Sequence, residues 1–217
     1  MAHPRDEAAS AATWDRHAAR YGRQERWETA AIDAALRIAA PQPHERLVDL
    51  ATGTGLVLRR LAAAPEEARP RQAIGVDRSA GMAATVGGLP PRWSVLEADA
   101  RRVPLPDGCA DVVTCAYLLH LLDAEARAAV LAEARRLLSP RASSRLVVVT
   151  VWSPRPAVRA ALGLLARARP AACAALSPLD PSADLAHAGF APTRRAVLPR
   201  RGYPSLVLGA RTRTRTC

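Results

Sequence analysis

Residues 47–55 read LVDLATGTG, and their order sets the chemistry this chain can do. Leu47, Val48, Asp49 and Leu50 have strand character, Gly53 and Gly55 make a tight turn, and Leu56, Val57, Leu58 and Leu61 follow as the start of a helix. Glycines without a Cβ let the backbone turn sharply and bring its N–H groups to a ligand, while the helix that follows adds partial positive charge. Asp49, Ala51, Thr52, Gly53 and Gly55 therefore make a cofactor seat. A dinucleotide fingerprint wants a third glycine where Leu58 stands, which weakens an NAD reading. Residues 73–77, AIGVD, read as a second buried strand ending in Asp77, an acid able to accept from both hydroxyls of a ribose.

Further on, LEADARRVPLPDGCADVVTCAYLLHLL holds a third strand ending near Asp99, a loop, and a fourth strand over residues 111–115. The runs DLATGTG, GVD and EADARRVPLPDGCADVV, in this order and spacing, resemble a class I S-adenosylmethionine-dependent methyltransferase. The ubiquinone/menaquinone-type and small-molecule, natural-product enzymes are the most similar group, and the likeness runs from about Trp14 to the last strand. It implies an α/β fold with a Rossmann-like seven-stranded sheet, mostly parallel, closed by a C-terminal antiparallel hairpin and flanked by helices on both faces. It also implies S-adenosylmethionine as cofactor, S-adenosylhomocysteine as product, and no metal. By the same resemblance Asp99 accepts from the adenine amino group and the Ala100 N–H faces the ring, unless Asp99 merely caps a turn. Arg78 follows the ribose acid, and Met82 packs on the adenine or is plain core. Where Ala51 stands the family usually has Gly, and a methyl there reshapes the loop under the methionine carboxylate.

The acceptor side follows from sheet logic. Open α/β sheets bind ligands at the carboxyl ends of their strands, which puts Cys115, Ala116, Tyr117 and His120 at that edge. His120 is the candidate general base because imidazole titrates near neutrality; the alternative is a helix-start histidine with no catalytic duty. Trp152, at the end of a β-branched fifth strand over residues 145–152, emerges at the same edge. From Thr13 a helical pattern places Trp14, His17 and Tyr21 on one face, which either packs on the sheet or, as the resemblance implies, covers the cofactor and walls off the acceptor.

Between these landmarks the chain alternates strand and helix. A second helix spans about residues 28–39, Ser79 and Asp123 cap the helices after strands two and four, and residues 93–96 form strand three. Residues 153–180 hold an Ala/Leu helix broken by Pro154, Pro156, Pro170 and Pro178; by the resemblance their place after strand five is that of the acceptor lid, here short, so the pocket is expected to be open. Ser182 caps a last helix, residues 193–198 and 205–208 pair as a hairpin, and residues 211–217 form a disordered tail. The organisation expected is a single domain: helical cap 1–45, cofactor-binding core 46–152, lid 153–180, then helix and hairpin 181–210.

Composition sets the outer limits. The 217 residues are 49% hydrophobic, enough for a two-sided sheet core. The net charge of +11 comes from 31 cations that are all arginine, scattered more than clustered apart from Arg200, Arg201 and the ARTRTRT tail, which reads as solvated surface and makes a nucleic-acid partner the weaker alternative. Cys109, Cys115, Cys173 and Cys217 show no CxxC spacing, so neither zinc nor a disulfide framework is expected. With no membrane span or leader pattern, the expectation is a cytoplasmic enzyme, monomer or homodimer, that methylates a small quinone-type or natural-product acceptor. The rivals are an RNA methyltransferase, which would need a nucleic-acid amine-binding motif not found after strand four, and a cofactor-binding protein that has lost catalysis.

Overall fold

The apolar runs become seven strands: β1 (Arg46–Leu50), β2 (Gln72–Asp77), β3 (Ser94–Glu97), β4 (Val112–Ala116), β5 (Arg145–Val151), β6 (Phe190–Leu198) and β7 (Ser205–Thr212). The computed structural model describes Asp15 and residues 25–168, 176–198 and 203–213. One sheet takes all seven strands in the order β3-β2-β1-β4-β5-β7-β6. Pairs from β3 to β5 are parallel, and β7 runs antiparallel to both β5 and β6. This is the Rossmann-like methyltransferase sheet that the resemblance implies.

Period-two alternation sends successive strand residues to opposite faces. Val48, Val113, Val148 and Leu206 join one core with Leu131 and Leu137 of helix α4 (Ala124–Leu137) and Leu185 of α6 (Ser182–His187). Leu47, Val112, Val147 and Val207 join the other, with Ile32 and Ala35 of α1 (Glu25–Ala39) and Leu58 and Leu61 of α2 (Leu56–Ala62). Helices thus cover both faces of the sheet. Two caps stand as expected: Ser79 Oγ accepts from the Met82 N–H of α3 (Ala80–Ala83) at 3.0 Å, and Asp123 accepts from Ala126 N–H at 2.8 Å.

Several boundaries differ from expectation. Helix α1 is already formed at Glu25, three residues before the expected start, with Glu25 and Glu28 favouring its positive end. Pro156 does not break the lid helix α5 (Pro156–Ala168) but begins it, where its missing N–H has no intrahelical partner to lose. Ser182 does not cap α6: Asp180 accepts from the Ser182 N–H and hydroxyl, and Ser182 is the first helical residue. Strand β7 continues through Arg211 and Thr212, paired with Ala191 and Phe190, so the expected tail begins inside the hairpin.

Candidate active site

Strand β1 lies between β2 and β4, the point where the strand order reverses and an open α/β sheet leaves a crevice. A cavity at its carboxyl edge is lined by Ala51, Gly53, Val76, Asp77, Arg78, Met82, residues 98–101, Ala116, Tyr117, Leu118, Leu121, Leu122 and Val130. Adjoining it, a second cavity is lined by Glu28 and Ile32 of α1, Asp49, residues 51–54, Leu56, Val57, Ala116 and Tyr117. Ala51, Gly53, Ala116 and Tyr117 line both, so the two form one continuous site under the Gly-rich loop.

Two carboxylates hold that loop. Asp77 accepts from the Gly53 N–H at 2.7 Å and from the Ser79 N–H at 2.9 Å, joining the turn after β1 to the turn after β2. Asp49 accepts from the hydroxyls of Thr52 at 2.7 Å and Thr114 at 2.6 Å. Burial pushes the Asp49 carboxyl up to about 6 against those two donors, and the nearby Asp77 charge pushes the same way. Burial also raises Asp77 above the usual carboxylate range, opposed by its two backbone donors. The turn itself is left-handed, with φ 56° at Ala51, 55° at Gly53 and 81° at Gly55. A Cβ on Gly55 would sit 2.7 Å from Val86 Cγ1, so this glycine shapes the loop although it lines neither cavity. Arg59 grips both oxygens of Glu25 at 2.7 Å, and the Thr54 hydroxyl donates to the same carboxylate, fastening α1 onto the loop.

Of the other expected residues, Arg78, Met82, Asp99 and Ala100 line the first cavity. Asp99 is forked by Arg101 at 2.6 Å, which holds its carboxyl below the ordinary range. Cys115 must be corrected: it is 1% exposed, in the core with Val113 and Val148, and Ala116 takes the cavity wall instead. Tyr117 lines both cavities with φ 57°, its N–H donating to the Val149 carbonyl at 2.8 Å and its hydroxyl 2.8 Å from Ser205 Oγ. Burial lifts that phenol above its usual range.

His120 is not on either cavity wall. It is 4% exposed in a 3₁₀ turn, Leu119–Leu121, with its ring edge-on to Tyr117 at 6.1 Å between centroids. Residues i and i+3 share a face in such a turn, so Leu118 and Leu121 meet the cavity and His120 turns away from it. Trp152 is also off the cavities, half-buried between the guanidinium groups of Arg159 at 5.4 Å and Arg195 at 4.9 Å. Trp14, His17 and Tyr21 lie outside the described residues. Sequence reasoning missed Glu28, which comes to the second cavity 5% exposed, and Arg101, Leu122 and Val130 on the first. Among the described residues no cluster of His, Cys, Asp and Glu could hold a metal ion.

The methyltransferase domain family matches residues 47–141, the stretch that carries the loop, both acids and the β4 edge. Over that stretch the chain is a methyltransferase domain of the class I, S-adenosylmethionine-dependent kind. It is 37% identical over 136 residues to a demethylmenaquinone methyltransferase of Thermus thermophilus, covering 59% of this chain and 56% of that one. The chain thus spans about half the length of the curated relatives it matches. The structure of geranyl diphosphate C-methyltransferase from Streptomyces coelicolor shares the fold at TM-score 0.65 and 18% identity, over 88% of this chain and 80% of that one. The [4+2]-cyclase SpnF shares it too, at TM-score 0.62 and 18% identity, over 86% and 82%. The fold therefore does not by itself fix the reaction.

Proposed function

We propose that this methyltransferase binds S-adenosylmethionine across the two adjoining cavities and methylates a small-molecule acceptor of quinone or natural-product type. The observation that carries the cofactor half is Asp77: it ends β2 at the cavity wall, fixed by two backbone amides, with lone pairs left for ribose hydroxyls. In this reading Asp99 and the Ala100 N–H take the adenine edge and Met82 packs on its ring. The backbone of residues 51–53, with Asp49, takes the methionine end, where carboxylates suit an ammonium and a sulfonium. When bound, the cofactor supplies a methyl already activated on sulfur.

The chain's own work is alignment and exclusion of water. Tyr117, locked at both its N–H and its hydroxyl, separates the cofactor seat from the acceptor side, and its raised phenol donates rather than abstracts a proton. We assign His120 to holding the Tyr117 ring, as a positioning residue, because a base must reach the proton it removes. The relatives' names support the acceptor class, and the SpnF likeness keeps a cofactor-binding protein with other chemistry as the second reading.

Calorimetry with S-adenosylhomocysteine and with NAD tests the first half. Tight S-adenosylhomocysteine binding and none with NAD is expected; the reverse overturns it. Mass spectrometry of demethylated quinols incubated with cofactor tests the second half, and full cofactor binding without methylation of any acceptor favours the second reading.

A further inference from the structure

The arginine excess is not spread evenly. Residues 1–133 hold 16 arginines against 18 acids, whereas residues 134–217 hold 15 arginines against only Asp180 and Asp184. Within that basic half lies α5, which contains no acid and whose exposed residues, apart from Pro156 and Arg167, are all alanine or leucine. Leu164 is 70% exposed and Leu165 41%. The third large hydrophobic exposed among the described residues is Trp27, at 46%.

The segments that carry them are joined at one edge of the sheet. The Trp27 carbonyl accepts from the Tyr203 N–H at 3.3 Å, and the next residue's carbonyl, on Pro204, accepts from the Trp152 N–H at 2.8 Å. The Trp152 ring in turn lies under Arg159 of α5. This run of contacts follows the carboxyl end of β5, the same edge that carries the cavities. Arg26 stacks on Trp27 at 4.9 Å, Arg155 is exposed just before the start of α5, and Arg167 is exposed near its end, two and three residues past the leucines.

We propose that α5, with Trp27, docks this edge onto an anionic phospholipid surface. An apolar helix face bordered by arginines seats its leucines among acyl chains and its guanidinium groups among phosphates. Charge complementarity selects the occupant: two copies of a face bordered by Arg26, Arg155 and Arg167, with no acid on α5, would repel, and a nucleic acid would leave the leucines with nothing to contact. The inference stands apart from the transfer reaction, since it concerns only where the edge rests.

The test is co-sedimentation of the full chain with vesicles of phosphatidylcholine alone and of phosphatidylcholine mixed with phosphatidylglycerol, at low and high salt. Binding to the anionic vesicles, weakened by salt, is expected. Leu164→Ser with Leu165→Ser should weaken it by about tenfold or more. Arg167→Gln should weaken it by about fivefold, on anionic vesicles alone. Unchanged S-adenosylhomocysteine affinity, measured separately, reports that each variant is folded. Equal binding to neutral vesicles, no effect of the paired serines, a dimer in solution that the serines dissociate, or duplex DNA binding as tightly as the vesicles at matched salt would each overturn the proposal.

Discussion

Cofactor affinity should depend on pH through Asp49. This carboxyl is 1% exposed, and burial lifts its ligand-free value to about 6 from an ordinary 3.8. A cationic methionine end placed in the second cavity favours the ionised form and returns the group toward its ordinary value. At pH 7 nearly all ligand-free molecules are already ionised, whereas at pH 5 about nine in ten must lose a proton first, so affinity should fall roughly tenfold between the two. Titration calorimetry at pH 6 in two buffers of different ionisation enthalpy should show about half a proton released per S-adenosylhomocysteine bound. Asp49→Asn should flatten the dependence. The analogue 5′-methylthioadenosine, which lacks the amino-acid end, should show little of it in the native protein. A flat affinity from pH 5 to 7, or an equal slope with the truncated analogue, would refute the placement of Asp49 beside the methionine end. The sign for stability is opposite: a raised carboxyl value stabilises the ligand-free fold while protonated and loses that contribution as pH rises from about 4 through about 6.

Asp77→Ala should weaken S-adenosylhomocysteine binding by about 1 to 3 kcal/mol, and should also lower unfolding free energy because the Gly53 and Ser79 amides lose their acceptor. An unchanged dissociation constant in a folded variant removes Asp77 from the site. Ala51→Gly relieves a left-handed alanine at some cost in chain entropy, so chemical denaturation should show a gain of about 0.5 to 1 kcal/mol; a loss would mean that the methyl packs usefully. His120→Ala, as a positioning change, should lower turnover by less than about tenfold and leave the acidic limb of the pH–rate profile in place. A loss of about 10²-fold together with that limb would restore His120 as the general base.

The loop and the two acids proposed for the cofactor were legible because their determinants are local. A strand, two glycines and an acid at the next strand's end occupy short stretches of sequence, and β1 and β2, lying side by side, bring them together. The acceptor half was not, because it depends on helical phase and on distant elements. Reading residues 117–122 as a strand end running into a helix put His120 at the edge, whereas the 3₁₀ turn gives that place to Leu118 and Leu121. Glu28 looked like an ordinary first-turn acid; only the Glu25–Arg59 clamp, joining residues 34 apart, swings it over the loop. Trp152 did emerge at the sheet end, but two arginines from α5 and β6, which no spacing rule connects, take up its ring.

The division of charge explains how a chain of net charge +11 presents an acidic seat to a cationic ligand. Asp49 and Asp77 are both buried, burial raises both carboxyls, and positive charge in the cavities would favour their ionised forms. Both sit in residues 1–133, where acids outnumber arginines; the basic remainder forms the end of α4, β5, the lid helix, α6 and the hairpin, and its Arg136, Arg141 and Arg145 pair with Glu133, Asp111 and Glu45. Arg78 and Arg101 do reach the first cavity, but Arg101 is forked to Asp99, which meets its charge there. Among the described residues the second cavity is lined by Glu28 and Asp49 and by no arginine, so a cationic methionine end placed there would meet acids alone.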